Sequence, residues 1–141
     1  MFEELEKYEN SGHFFYEKND NLREICNAPK SGIGIYLIYA LKNGKIELVY
    51  TGCTGKITQD GMLKTRKGGI YDTLVNGKQF GELRTRAWDK HIIIEDIEAL
   101  DVYWYETFDQ YNMDIPAMIE GKIIQQFFEI HGKLPNWNKE Y

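Results

Sequence analysis

Cysteine is scarce in this 141-residue chain, which has only Cys26 and Cys53. Neither belongs to a Cys-x-x-Cys pair, and His13, His91 and His131 are scattered. A structural zinc site is therefore excluded, and two free thiols are expected rather than a disulfide. Proline is also sparse, at three residues, and no internal repeat or linker-like stretch interrupts the chain. No apolar run approaches the roughly 18 residues needed to cross a bilayer, so no membrane partner is expected. The first residues, Met1-Phe2-Glu3-Glu4-Leu5-Glu6, are acidic where a signal peptide would be basic, which makes the expected location cytoplasmic. An excess of base is missing as well. Lys and Arg number 17 against 22 Asp and Glu, giving a net charge of −5. An indiscriminate nucleic-acid coat would carry the opposite sign.

What is present is core material. Hydrophobic residues make up 43% of the chain and aromatics 14%. That composition excludes a disordered chain, a collagen-like repeat and a coiled coil, and the length suits one domain. The charge is also unevenly distributed. Residues 42–90 carry ten bases against five acids, whereas residues 91–141 carry three bases against ten acids. A basic middle between acidic flanks is either a phosphate-binding surface or a solvated face with lysines in loops.

Residues 1–32 read as an N-terminal arm, with a short helix near Phe2–Tyr8, aromatics at Phe14-Phe15-Tyr16 and a turn near Asn21–Cys26. Ile33–Leu41 is almost continuously apolar, β-branched and aromatic, the pattern of a strand buried on both faces. Lys42-Asn43-Gly44-Lys45 follows, and Asn-Gly suits the two positive φ angles of a type I′ hairpin turn. Ile46–Tyr50 is the expected antiparallel return. Residues 53–81 are rich in glycine and base and read as an insertion holding a long loop and a helix near Ile70–Val75. A helix is expected within Leu83–Ala99, a strand over Asp101–Thr107, and a final helix that starts at Asp114 or Ile115, with Pro116 in its first turn, and ends at Gly132. The expected architecture is α+β, a three-stranded antiparallel sheet flanked by helices, as one domain over 1–141.

The final helix carries the first chemical signal. At about 100° per residue, Ile119, Ile123, Phe127 and Ile130 fall on one side of Glu120 and Ile124 and Phe128 on the other, so Glu120 sits in the middle of the apolar face. A carboxylate there costs several kcal/mol unless it is paired, metal-bound or released to solvent near the helix start. The second signal is a pair of strand tyrosines, Tyr36 and Tyr50, each near a glycine, Gly34 and Gly52. Glycine within a strand marks close approach of a ligand or another chain segment. No phosphate-binding glycine loop, nucleophile elbow or zinc-protease helix motif is present.

Gly34-Ile35-Tyr36, thirteen residues, then Tyr50-Thr51-Gly52 resembles the paired motif of the GIY-YIG nuclease superfamily, with Thr51 in place of the central isoleucine. Glu120 resembles that family's helical glutamate, and Asn138 in Pro135-Asn136-Trp137-Asn138 resembles its terminal asparagine. The match spans residues 33–138. The resemblance implies hydrolysis of DNA phosphodiester bonds with one divalent ion, Mg2+ or Mn2+, bound by Glu120. Tyr36 would activate or orient water with help from Tyr50, provided nearby cations lower its pKa well below about 10. The family places an arginine on the helix after the second motif, but Ile70–Val75 has none. Arg66 is the first candidate, followed by Arg84 and Arg86. Lys56, Lys64, Lys67, Lys78, Arg84 and Arg86 form the candidate nucleic-acid contact surface. A homodimer is expected if both DNA strands are cut. The alternative is a GIY-YIG-fold nucleic-acid-binding or assembly module with weak or no catalysis.

Overall fold

The computed structural model describes residues 2–141. The chain begins with a 3-10 turn, Glu3–Leu5, then β1 (Ser11–Tyr16) and a one-turn α1 (Leu22–Ile25). A long hairpin follows, β2 (Gly34–Lys42) and β3 (Lys45–Thr54), then a small hairpin, β4 (Lys56–Ile57) and β5 (Leu63–Lys64). Next come α2 (Gly69–Asn76), a second small hairpin of β6 (Lys78–Gln79) and β7 (Glu82–Leu83), and α3 (Arg84–Ile94). The strand β8 (Ala99–Glu106) and the helix α4 (Pro116–His131) complete the chain.

The architecture is α+β, and its main sheet is antiparallel in the order β1-β8-β2-β3. It has four strands where three were expected. The additional one is β1, which pairs along its whole length with β8 about 90 positions away, Phe14 opposite Val102. Its alternation is clear once paired: Phe14 and Tyr16 are buried, and His13 and Phe15 are exposed. No hairpin turn joins β1 to its partner, so the local sequence holds no sign of the pairing.

The hairpin forms as its turn residues require. Asn43 and Gly44 have φ of 52° and 71°, and Lys42 pairs with Lys45. One residue, Val49, is bulged out of the β2–β3 ladder, where the register shifts between Ile38 and Tyr39. The α3 helix stops at Ile94, short of the expected Ala99, because Asp96 takes a left-handed φ of 55° and turns the chain into β8. At the other end α4 starts on Pro116, whose missing N–H costs nothing there, and ends on Gly132 at φ 70°.

Because β2 is central, its alternate side chains feed two cores. Tyr36, Ile38 and Ala40 pack with Leu74, Trp88 and Val102 beneath α2 and α3. Ile35, Leu37 and Tyr39 pack with Leu5, Ile119 and Ile123 beneath α4 and the 3-10 turn. Ile130, expected on the apolar face of α4, is exposed, because only the first part of that helix lies over the sheet. Among the described residues, no helix is long and apolar enough to cross a membrane.

The glycine of the first motif has a physical cause. A Cβ at Gly34 would collide with the Tyr105 carbonyl of β8. Gly34→Ala is expected to destabilise the fold by about 2–3 kcal/mol by forcing the two strands apart. Gly44→Ala, in open space at the hairpin turn, is expected to cost about 1 kcal/mol. Urea denaturation of both variants measures the difference, and equal costs would contradict the packing role of Gly34.

Candidate functional site

The edge strand β3 organises the site. Its outer rim has no strand partner, and the C-terminal segment covers it. Trp137 N–H donates to the bulged Val49 carbonyl at 2.8 Å. The Asn138 amide then grips Thr51 twice: its Oδ1 accepts from Thr51 N–H at 3.0 Å and its Nδ2 donates to Thr51 C=O at 3.1 Å. A side-chain amide thus supplies both bonds that a neighbouring strand would make. This fixes the stretch of β3 that carries Tyr50, Thr51 and Gly52.

Across β3 from this clamp lies Tyr36, whose ring rests on Gly52, opposite it in the ladder. A Cβ at Gly52 would overlap the Tyr36 ring and hydroxyl. The second motif glycine is therefore a seat for the first motif tyrosine. The Tyr36 and Tyr50 ring centroids are 6.1 Å apart. Tyr36 is only 3% exposed. Tyr50 is half-buried and opens onto a cavity of about 300 Å3 shared with Lys78, Phe80, Asn138 and Lys139.

Arg84 is the arginine that reaches Tyr36. From the first turn of α3, its Nη2 donates to the Tyr36 hydroxyl at 2.6 Å. Its Nη1 donates to the Thr73 and Leu74 carbonyls, and its Nε donates to Gln79 Oε1 at 3.3 Å. Those carbonyls belong to the last turn of α2, where partial negative charge accumulates and a cation is favoured. Arg84 is 2% exposed, so it cannot serve as the outward phosphate contact expected of it. Arg66, the first candidate, sits elsewhere: its Nε pairs with Asp72 at 2.8 Å and its side chain is about half exposed. Thr73 occupies the helix position where an arginine was sought, and its hydroxyl meets that of Thr54 at 2.6 Å.

On the other side of β3, Glu120 is 6% exposed. Its Oε2 accepts from the Thr51 hydroxyl at 3.1 Å. Among the described residues it forms no salt bridge. Burial raises its pKa above the ordinary glutamate range, partly offset by hydrogen bonds from Cys53, Thr51 and Tyr141. Burial likewise pushes the Cys53 thiol up to about 12, which makes it inert as a nucleophile. Tyr36 is also pushed up to about 12: burial raises it, the Arg84 charge lowers it, and Tyr50 and Glu120 raise it again. The condition for Tyr36 to act as a base, a pKa lowered by nearby cations, is not met, because desolvation outweighs the neighbouring Arg84 charge.

The remaining basic candidates, Lys56, Lys64, Lys67, Lys78 and Arg86, are all exposed. Lys56 and Lys64 stand directly opposite each other in the β4–β5 hairpin. Like charges in that position destabilise a sheet, so the pair makes an unneutralised cationic spot. Sequence reasoning missed Thr51 as the partner of Glu120. The signal was available, since Thr51 is polar where the resembling motif is apolar. Among the described residues, no group of three or more His, Cys, Asp or Glu side chains is placed to hold a metal ion. Mg2+ asks for less: it keeps several waters and takes one or two carboxylates together with substrate oxygens. A single buried, cation-free carboxylate fits such an ion and does not fit a fully protein-ligated metal.

The chain matches no protein-family model, no curated protein and no solved structure.

The raised pKa of Glu120 has a definite sign in stability. The folded chain binds this proton more tightly than the unfolded chain. Stability therefore falls as pH rises from the ordinary glutamate range through the raised folded value. Glu120→Gln is expected to melt at a higher temperature than wild type at pH 7, with the two curves converging below about pH 4. Thermal melts across that range test it, and a Gln variant less stable at pH 7 would contradict it.

Proposed function

We propose that this chain is a divalent-metal-dependent endonuclease of the GIY-YIG type, hydrolysing DNA phosphodiester bonds at the Tyr36–Tyr50–Glu120 site. The observation that carries the reading is the buried carboxylate of Glu120, bonded to Thr51 and left without a cation, across β3 from the tyrosine pair. A structural carboxylate in that position would cost stability for no return. Mg2+ or Mn2+ bound at Glu120 would polarise the phosphate and stabilise the leaving oxygen.

The chain's own groups divide the remaining work. Arg84 donates to the Tyr36 oxygen, so the Tyr36 O–H points its proton elsewhere, toward water or a phosphate oxygen. With its pKa near 12, Tyr36 keeps that proton at neutral pH and acts as an orienting donor rather than a base. Tyr50, open to the cavity, is the hydroxyl that meets substrate, and Asn138 holds its strand in place. Lys56, Lys64, Lys67, Lys78 and Arg86 supply phosphate contacts in a protein acidic overall. One site per chain suits a homodimer for cutting both strands. The expected setting is the cytoplasm.

One observation favours a second reading, a nucleic-acid-binding or assembly module without catalysis. Arg84 spends most of its N–H groups on Tyr36, Gln79 and the end of α2, leaving little to offer a phosphorane. Both readings predict salt-sensitive DNA binding, and only the first predicts cleavage.

Nicking of supercoiled plasmid with Mg2+ or Mn2+ separates them. Wild type is expected to nick, with EDTA abolishing the activity. Glu120→Ala and Tyr50→Phe are each expected to lose at least about 100-fold. Arg66→Ala is expected to stay within about threefold, since its exposed pair with Asp72 contributes little. Nicking that persists unchanged in Glu120→Ala would sink the endonuclease reading. DNA binding without any nicking would support the module.

A further inference from the structure

A second cavity, of about 340 Å3, opens between the 3-10 turn and the sheet, and it shares no residue with the site above. Four tyrosines line it: Tyr8 just after the 3-10 turn, whose hydroxyl donates to Asp114, Tyr39 from β2, and Tyr103 and Tyr105 from β8. The Tyr39 and Tyr103 rings meet at 77° with centroids 5.5 Å apart, forming a corner. The Tyr105 ring lies 11° from parallel to Tyr103 at 6.5 Å. Two carboxylates, Asp101 and Glu6, also line the cavity, and no Lys, Arg or His does.

Asp101 is the unusual member. It is 7% exposed and lies two residues before Tyr103 on β8, which puts both on one face of the strand. Its Oδ1 is held at 2.8 Å by His13 Nδ1, from outside the lining. His13 in turn stacks on Tyr103 at 4.6 Å and 8°, which fixes that ring as a wall. Burial first, and then the charge of Asp101, raise the pKa of Tyr103, and Tyr105 is pushed up to about 12 by burial, its tyrosine neighbour, Asp101 and Glu6. The walls are therefore neutral phenols in a negative field.

That chemistry selects its occupant. A phosphate or carboxylate would be repelled by Asp101 and Glu6. A neutral apolar molecule would leave His13 as the one partner answering the buried Asp101 and would gain nothing from either carboxylate. A bare Mg2+ needs a shell of oxygens, and among the described residues no third His, Cys, Asp or Glu joins Asp101 and Glu6 to help hold a metal ion. An alkylated ammonium ion meets every condition: it carries positive charge, sheds water readily and is attracted by aromatic faces. The volume is at the small end of ligand pockets, which suits a small molecule.

We infer that this cavity binds a small alkylated ammonium group, caged by Tyr39, Tyr103 and Tyr105 and neutralised by Asp101. The site is independent of the nuclease reading and stands or falls without it.

The test is an NMR titration of the intact chain with choline, followed on the tyrosine ring resonances. The control is 3,3-dimethyl-1-butanol, which has the same shape without the charge. Choline is expected to shift the Tyr103 and Tyr105 rings saturably, with the neutral isostere at least about tenfold weaker. Asp101→Asn is expected to weaken choline binding about tenfold. Should that variant fail to fold, Glu6→Gln, at an exposed position, is expected to weaken it about twofold. Free Nε-trimethyllysine is the second arm: tighter binding than choline supports the cage and assigns its source to a modified lysine side chain. Equal binding of choline and the isostere, or no saturable shift up to about 100 mM choline, overturns the inference. So does preferential binding of guanosine, which would make the cavity a nucleobase site.

Discussion

The constraint on which the structure rests is the burial of β2 on both faces and both edges. Its neighbours β3 and β8 take its backbone hydrogen bonds, and its alternate side chains supply two separate cores. Two close approaches in the sheet are made through glycine: the Tyr105 carbonyl of β8 against Gly34 of β2, and the Tyr36 ring of β2 against Gly52 of β3. With β2 so enclosed, β3 becomes an edge, and the C-terminal segment must cover it. The Asn138 amide does so by taking both backbone groups of Thr51. The candidate site is a consequence of this arrangement. Tyr36 belongs to one face of the sheet and Glu120 to a helix on the other, and the edge strand links them: Gly52 seats the Tyr36 ring and Thr51 donates to Glu120.

Electrostatics at the site are governed by dehydration more than by charge pairing. Arg84 sits within hydrogen-bond reach of Tyr36, yet the tyrosine holds its proton more tightly than in water. Glu120 behaves in the same direction, since Thr51 and its other hydrogen-bonding neighbours offset only part of the cost of burial. Arg84 itself is tolerable inside because the last carbonyls of α2 need donors that the helix cannot provide. It joins α2, α3 and β2 through one side chain, a structural task that competes with any role toward a phosphate.

Charge is segregated by element. The exposed lysines of the β4–β5 hairpin stand opposite each other, a placement that gains nothing in the free protein. The aromatic cavity near the N-terminus has the reverse character, with two carboxylates and no base. A chain with net charge −5 therefore presents both signs, each in its own place: two lysines on the β4–β5 hairpin and two carboxylates at the aromatic cavity.

What could be read without tertiary structure was whatever local chemistry decides. The Asn43-Gly44 turn, the doubly buried β2, the limits of α4 and the awkward position of Glu120 follow from backbone preference and periodicity, which act over a few residues. The two motif glycines were legible as marks of close approach, though not what approached. Only the tertiary structure decided the rest, because it depended on pairings between distant segments. It placed β1 beside β8, about 90 positions away, and so made a four-stranded sheet. It chose Arg84 over Arg66 to stand beside Tyr36, since a guanidinium extends far enough from its backbone for any of several sequence positions to reach one hydroxyl. It also set the direction of the Tyr36 pKa, upward, because desolvation is a property of the assembled core that no residue carries in its own sequence neighbourhood.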